Sequence, residues 1–136
     1  VAFSLRMVDS RPSSWLDISK EWALKDMMPI IKAVPDAKYM ILNVANSSQL
    51  NVYNKEEMEL FRKTNLVMDT SGRNTNNLGE LIKMYGKDKF AFGTHAPLLD
   101  HLTGLLRVEA LRPDEANAEV KALIQSGNAK RILGLK

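Results

Sequence analysis

The sequence contains no cysteine, which excludes disulfides and thiolate metal sites and makes a reducing, cytoplasmic location the expectation. No apolar run is long enough to span a bilayer, and no leader with a basic start and an apolar centre is visible. Neither sign of charge dominates: 19 Lys and Arg stand against 16 Asp and Glu, for a formal net charge of +3. The bases are mixed with acids, as in Lys55-Glu56-Glu57 and Lys87-Asp88-Lys89, and no basic stripe is interleaved with aromatics. Neither nucleic acid nor a membrane is therefore an expected partner. The motifs GxGxxG, GxxxxGK[ST], GxSxG and HExxH are also absent. Their absence removes sequence support for a nucleotide-binding doubly wound fold, a serine hydrolase elbow and a zincin.

What is present centres on Phe90–Pro97, FAFGTHAP. Side chains alternate along a strand, so Phe90, Phe92 and Thr94 share one face while Ala91, Gly93 and His95 share the other. One face is bulky and apolar. The other is nearly bare until a titratable ring appears at the C-terminal end, where parallel α/β sheets carry ligands and chemistry.

The rest of the chain repeats the theme of strand followed by helix. Val1–Val8 alternates like a strand, and Asp9–Asp17 with Pro12, Ser13 and Ser14 reads as a loop. A helix is expected over Ser19–Val34, with Met27, Ile30, Ile31 and Val34 as its stripe and Pro29 as a kink or break. Tyr39–Ala45 and Leu66–Ser71 are the second and third strands. Between them Asn54, with Glu57 three residues on, reads as a capping box for a helix to Lys63 that buries Met58 and Phe61. Leu78, Leu81, Ile82 and Tyr85 form a helical stripe stopped by Gly86. Leu99, Leu102, Leu105 and Leu106 suggest a further helix. Pro113-Asp114 starts another, with Val120, Leu123 and Ile124 buried, and Gly127-Asn128 is expected to end it before a last turn over Ala129–Leu133. The seven methionines fall mostly at core positions and read as packing.

Four strand–helix units in a row argue for a parallel sheet. The expected fold class is α/β, the C-terminal half of a (β/α)8 TIM barrel with extra helices, as one domain over 1–136. The opening Val1-Ala2-Phe3-Ser4-Leu5 reads as the interior of a strand, so the preceding half of the barrel is expected as a partner, with self-association as the substitute. In the phase that turns the larger apolar residues toward the helices, Arg6, Asn43, Asp69 and His95 converge on the other face at the barrel mouth. Each has a plainer role beside this one. His95 is a metal or ligand contact or a satisfied strand-end histidine. Asp69 is a site carboxylate, a cap for the turn at Gly72, or the partner of Arg73. Arg6 needs an anion, which a substrate carboxylate, Asp69 or Asp9 would supply. Asn43 is a catalytic neighbour or a structural hydrogen-bonder. Asp9, Arg11, Arg73 and Asn74 occupy strand-following loops, where solvated turn residues are common, and His101 reads as a surface residue.

Three stretches together, NLVMDTSGR (Asn65–Arg73), KFAFGTHAPLLD (Lys89–Asp100) and ALIQSGNAKRILGL (Ala122–Leu135), resemble the C-terminal half of the amidohydrolase-like metal-dependent hydrolases. They are most similar to the branch that includes the aminocarboxymuconate semialdehyde decarboxylase type, and VPDAKYMILNVANSS resembles that family's sixth-strand region. The resemblance implies a (β/α)8 barrel of about twice this length and a metal-activated water that hydrolyses a C–N or C–O bond, with non-oxidative decarboxylation as the variant. It places Asn43 where the family has a catalytic histidine and His95 where it has a metal-binding aspartate. Arg6 or a neighbour falls near the position of the fifth-strand histidine, and the family's His-x-His motif is not in this chain. The implied assignments are His95 as zinc ligand or acid/base, Asp69 and Asn43 as its catalytic neighbours, and Arg6, Arg73 and Asp9 as binders of a small anionic substrate. A metal-free binding barrel and an unrelated four-stranded α/β domain are the competing readings.

Overall fold

The computed structural model describes residues 1–5, 24–44, 54–71, 78–94, 96–97 and 100–136. It is an α/β fold with one sheet of four parallel strands: β1 (Ala2–Ser4), β2 (Tyr39–Leu42), β3 (Leu66–Asp69) and β4 (Phe90–Ala91). Their spatial order is β1-β2-β3-β4, so each strand lies beside its predecessor, as in one arc of a parallel barrel. The connecting helices are α1 (Met28–Ala33), α2 (Lys55–Lys63) and α3 (Leu78–Tyr85). After β4 come α4 (His101–Glu109), α5 (Ala118–Ala122) and α6 (Asn128–Leu133). Among the described residues no helix is long and apolar enough to cross a membrane.

The main core lies between the sheet and the connecting helices. Phe3, Leu5, Tyr39, Ile41, Leu66, Met68, Phe90 and Phe92 meet Met28, Ile31, Phe61, Leu78, Leu81, Ile82 and Tyr85 there. Phe3 stacks on Tyr39 with centroids 6.2 Å apart, and Tyr85 sits 5.2 Å from Phe61 and 6.3 Å from Phe90. Phe61 and Tyr85 come from α2 and α3, so one aromatic cluster pins two helices to β4.

The caps follow their residues closely. At the start of α2 the Asn54 side chain accepts from the Glu57 N–H at 2.9 Å, and Glu57 accepts from the Asn54 N–H at 3.1 Å. Both halves of the expected box are formed. Gly86 stops α3 at φ 115°, a conformation that favours glycine. The expected helix over Ser19–Val34 is shorter where described: a 3₁₀ turn over Leu24–Met27 precedes α1, with Pro29 in the first turn of α1. Proline suits that position, since its missing N–H has no intrahelical acceptor there. Leu24, Met27, Met28 and Ile31 are the buried residues, whereas Ile30 and Val34 are exposed. The first part of the expected helix lies outside the described residues.

The C-terminal segment departs from its sequence reading. Gly127 has helical φ −58° and does not end a helix. A π-turn over Leu123–Gly127 joins α5 to α6, and Gly134 at φ 71° provides the stop. This segment closes the outer edge of β4. Lys89 and Ala91 point their carbonyls at β3, bonding the N–H groups of Met68 and Thr70. By the alternation of a parallel ladder, Phe90 and Phe92 bond away from β3. There the Ile124 carbonyl accepts from the Phe92 N–H at 2.8 Å, and the Asn128 side-chain amide donates to the Phe90 carbonyl at 2.8 Å and the Lys87 carbonyl at 2.9 Å. On the far face of the sheet, Ile132 and Ala129 of α6 cover Val67, Ala91 and Met40.

Candidate functional site

At the C-terminal ends of the strands, Asp69 lies on the face opposite the main core. The strand alternation puts Leu66 and Met68 among the core side chains and Val67 and Asp69 on the other side. The Ser71 hydroxyl donates to Asp69 Oδ2, and the Val44 N–H donates to Asp69 Oδ1 at 3.4 Å. Gly93 of the next chain segment faces this pair. A Cβ there would stand 2.9 Å from Asp69 Cβ and 3.2 Å from Ser71 Cβ, so a bare backbone at this point makes room for the carboxylate. The sequence expectation for β4 holds in this respect: Phe90 and Phe92 face the core, while Ala91 and Gly93 face the other way.

The phase expected for β2 does not hold. Tyr39 and Ile41 were to share the site face with Asn43, yet both are fully buried on the core side, and Met40 packs on the opposite face. Strict alternation would then send Asn43 toward the core. It escapes because its own φ is 61°, a left-handed conformation that asparagine tolerates better than most residues. Its side-chain amide donates to the Ser4 hydroxyl at 2.6 Å, and Val44 takes the core position instead, 4% exposed. Asn43 thus reaches the strand-end cluster by a backbone turn, not by the strand pattern.

The structure therefore gathers Ser4, Asn43, Asp69, Ser71 and Gly93 at one end of the sheet. Arg6, Asp9, Arg73 and His95, the other residues singled out in the sequence, lie outside the described residues. Among the described residues no three His, Asp or Glu side chains come together as a metal site. Zinc in a catalytic site is held by three protein ligands, so those residues do not by themselves make the expected zinc site. Both oxygens of Asp69 accept hydrogen bonds from the protein, which suits a group that orients neighbours. His101 begins α4 on the surface, beside Asp100 at 3.6 Å.

Two residues at this end of the fold escaped sequence reading. Thr70 is fully buried, and its hydroxyl accepts from the Gly93 N–H at 3.2 Å. Arg107, in the last turn of α4, donates through Nη1 to the Thr70 carbonyl at 3.2 Å. Burial lowers the Arg107 pKa from its ordinary value, though an arginine so placed remains charged at neutral pH. The one signal for Arg107 was its spacing from Gly104, which is one turn earlier on the same side of the helix. No protein-family model matches this chain, and no curated protein is significantly similar to it.

Proposed function

We propose that the chain is the C-terminal half of an amidohydrolase-like (β/α)8 barrel, a metal-dependent hydrolase acting on a small anionic substrate at the strands' C-terminal ends. One observation supports the reading: four parallel strands in consecutive order put Asp69 at the same end of the sheet as Asn43, which bonds Ser4, and Val44, whose N–H bonds Asp69. Chemistry on parallel sheets is found at that end. In this reading Asp69 and Asn43 position their neighbours, His95 is the zinc ligand or acid/base group, and Arg6, Arg73 and Asp9 serve the substrate.

The test is zinc-dependent turnover of small carboxylated amides and lactones. The purified protein is expected to hold zinc stoichiometrically and to lose it on His95→Ala. Asp69→Asn should lower turnover about 10–100-fold, the usual cost of removing a group that orients a metal site. Turnover that persists after complete metal removal, or zinc content unchanged in His95→Ala, contradicts the proposal. One observation favours the metal-free binding barrel instead: the Asp69 carboxylate is occupied by Ser71 and Val44. Saturable ligand binding without zinc would be its result.

A further inference from the structure

The β3–β4 ladder is interrupted at one rung. The N–H of Met68 bonds the carbonyl of Lys89 at 2.7 Å, and that of Thr70 bonds Ala91 at 2.9 Å. In a regular parallel ladder the next bond runs from the Gly93 N–H to the Thr70 carbonyl. Here the Gly93 N–H goes to the Thr70 hydroxyl instead, and the freed Thr70 carbonyl accepts from Arg107. The segments stay close, with a Cβ on Gly93 only 3.2 Å from Ser71 Cβ, but the ladder's last carbonyl is held by a guanidinium.

The position of α4 makes this reach available. A Cβ on Gly104 would lie 3.2 Å from the Gly93 carbonyl oxygen and 3.3 Å from Thr94 Cα, so the helix rests almost on the backbone beyond β4. Gly104 and Val108 form its buried side, and Arg107 projects beside them. Arg62 is exposed and far from the C-terminal strand ends, with two of its groups on the Met84 carbonyl. Arg112 pairs with Asp114 and Glu115, and Arg131 bonds the Asn65 side chain and the Asp88 carbonyl. Arg107 has a single neutral carbonyl, which uses one of its five N–H donors, and no acidic partner among the described residues. Thr70, which holds it, lies between Asp69 and Ser71 in the chain.

We propose that Arg107 is an anion-binding residue of the strand-end site, fixed by the Thr70 carbonyl and offering its remaining N–H groups to a small oxyanion, a carboxylate or a phosphate. A planar fork anchored at one corner is pre-ordered for two parallel bonds to such a group. The inference rests on the reading of the strand ends as a ligand site, and it requires no metal.

The test is a titration of the protein with inorganic phosphate and, separately, with acetate, at an ionic strength held constant with chloride. Amide shifts of Thr70, Ser71 and Gly93 and the Arg107 side-chain N–H signal report binding. One or both anions should saturate, and which one does so distinguishes phosphate from carboxylate. Arg107→Gln should weaken binding at least about tenfold, equivalent to about 1.4 kcal/mol. Arg107→Lys keeps the charge without the fork and should weaken it several-fold, which preserves the test if the Gln variant fails to fold. Arg62→Gln, which removes an exposed guanidinium bound to the Met84 carbonyl, should bind as the parent does. Absence of saturation by either anion overturns the proposal, as does undiminished affinity in Arg107→Lys. Saturable binding at Arg107 in a protein that takes up no zinc would sink the hydrolase reading and leave this one standing. Zinc-dependent turnover with an unchanged KM in Arg107→Gln would do the reverse.

Discussion

Asn43 shows how far a single residue can carry a site away from its strand pattern. Tyr39-Met40-Ile41-Leu42 is apolar at every position, so alternation leaves two phases open and only the polar residue at the end suggests a choice. That suggestion misjudged the phase of Tyr39 and Ile41, because the left-handed turn at φ 61° inverts the pattern after Leu42 and turns Asn43 to the Ser4 hydroxyl. Gly93 was legible because β4 sets Phe90 and Phe92 against Ala91 and Gly93, a clear contrast of large and small. Leu66-Val67-Met68 offers no such contrast, so the phase that carries Asp69 stayed as open as that of β2. Tyr85 offers a residue-scale prediction of a different kind. Buried between Phe61 and Phe90, its phenol has its pKa pushed up to about 12 by loss of hydration. A raised folded pKa means that this contribution to stability is fully present below the unfolded value of about 10. It is then lost as pH rises toward 12. Phenolate absorbance should show one late tyrosine that disappears in Tyr85→Phe, and the variant's unfolding should depend less steeply on pH in that window. An unaltered titration would count against the buried phenol.

At the scale of elements, the start of α2 and the stop of α3 were legible, since Asn54, Glu57 and Gly86 act through local geometry. The start of α5 was not, for it lies at Ala118 behind an Asn117 cap and not at Pro113-Asp114. Helix faces chosen by tertiary packing were not legible either. On α4, Leu102, Leu105 and Leu106 are 53%, 40% and 64% exposed, while the small Gly104 faces the Gly93-Thr94 backbone, where an added Cβ would be crowded at 3.2–3.4 Å. The C-terminal segment makes the same point with Asn128. Gly127-Asn128 looks like a helix stop, but Asn128 is 2% exposed and holds two strand-end carbonyls. The π-turn before it also frees the Ile124 carbonyl for Phe92, and such turns are rare inside helices. Asn128→Ala leaves the Phe90 carbonyl buried without its donor and should cost about 1–3 kcal/mol. Urea unfolding monitored by far-UV dichroism measures it. A loss within the few tenths typical of a surface change would mean that the bond does not hold the segment in place.

For the whole molecule, the two edges of the sheet differ. Over Phe90–Phe92 the outer edge of β4 is closed by Ile124 and Asn128, whereas β1 pairs with β2 alone among the described residues. On the proposed half-barrel reading, a second half would join the sheet at both of these edges. At β4 it would have to displace Ile124 and Asn128. The consecutive parallel order was readable from the alternation of strand and helix. The closed edge was not, because it depends on a π-turn and one buried amide that no periodicity announces. The claim that organises all of this is that the C-terminal ends of the strands form a single ligand site. Amide shift mapping during zinc titration tests it most directly. The account predicts that Val44, Asp69–Ser71 and Gly93–Thr94 move together and saturate at one equivalent. Saturable shifts confined to the opposite rim, at Tyr39, Leu66 and Lys89, would contradict it.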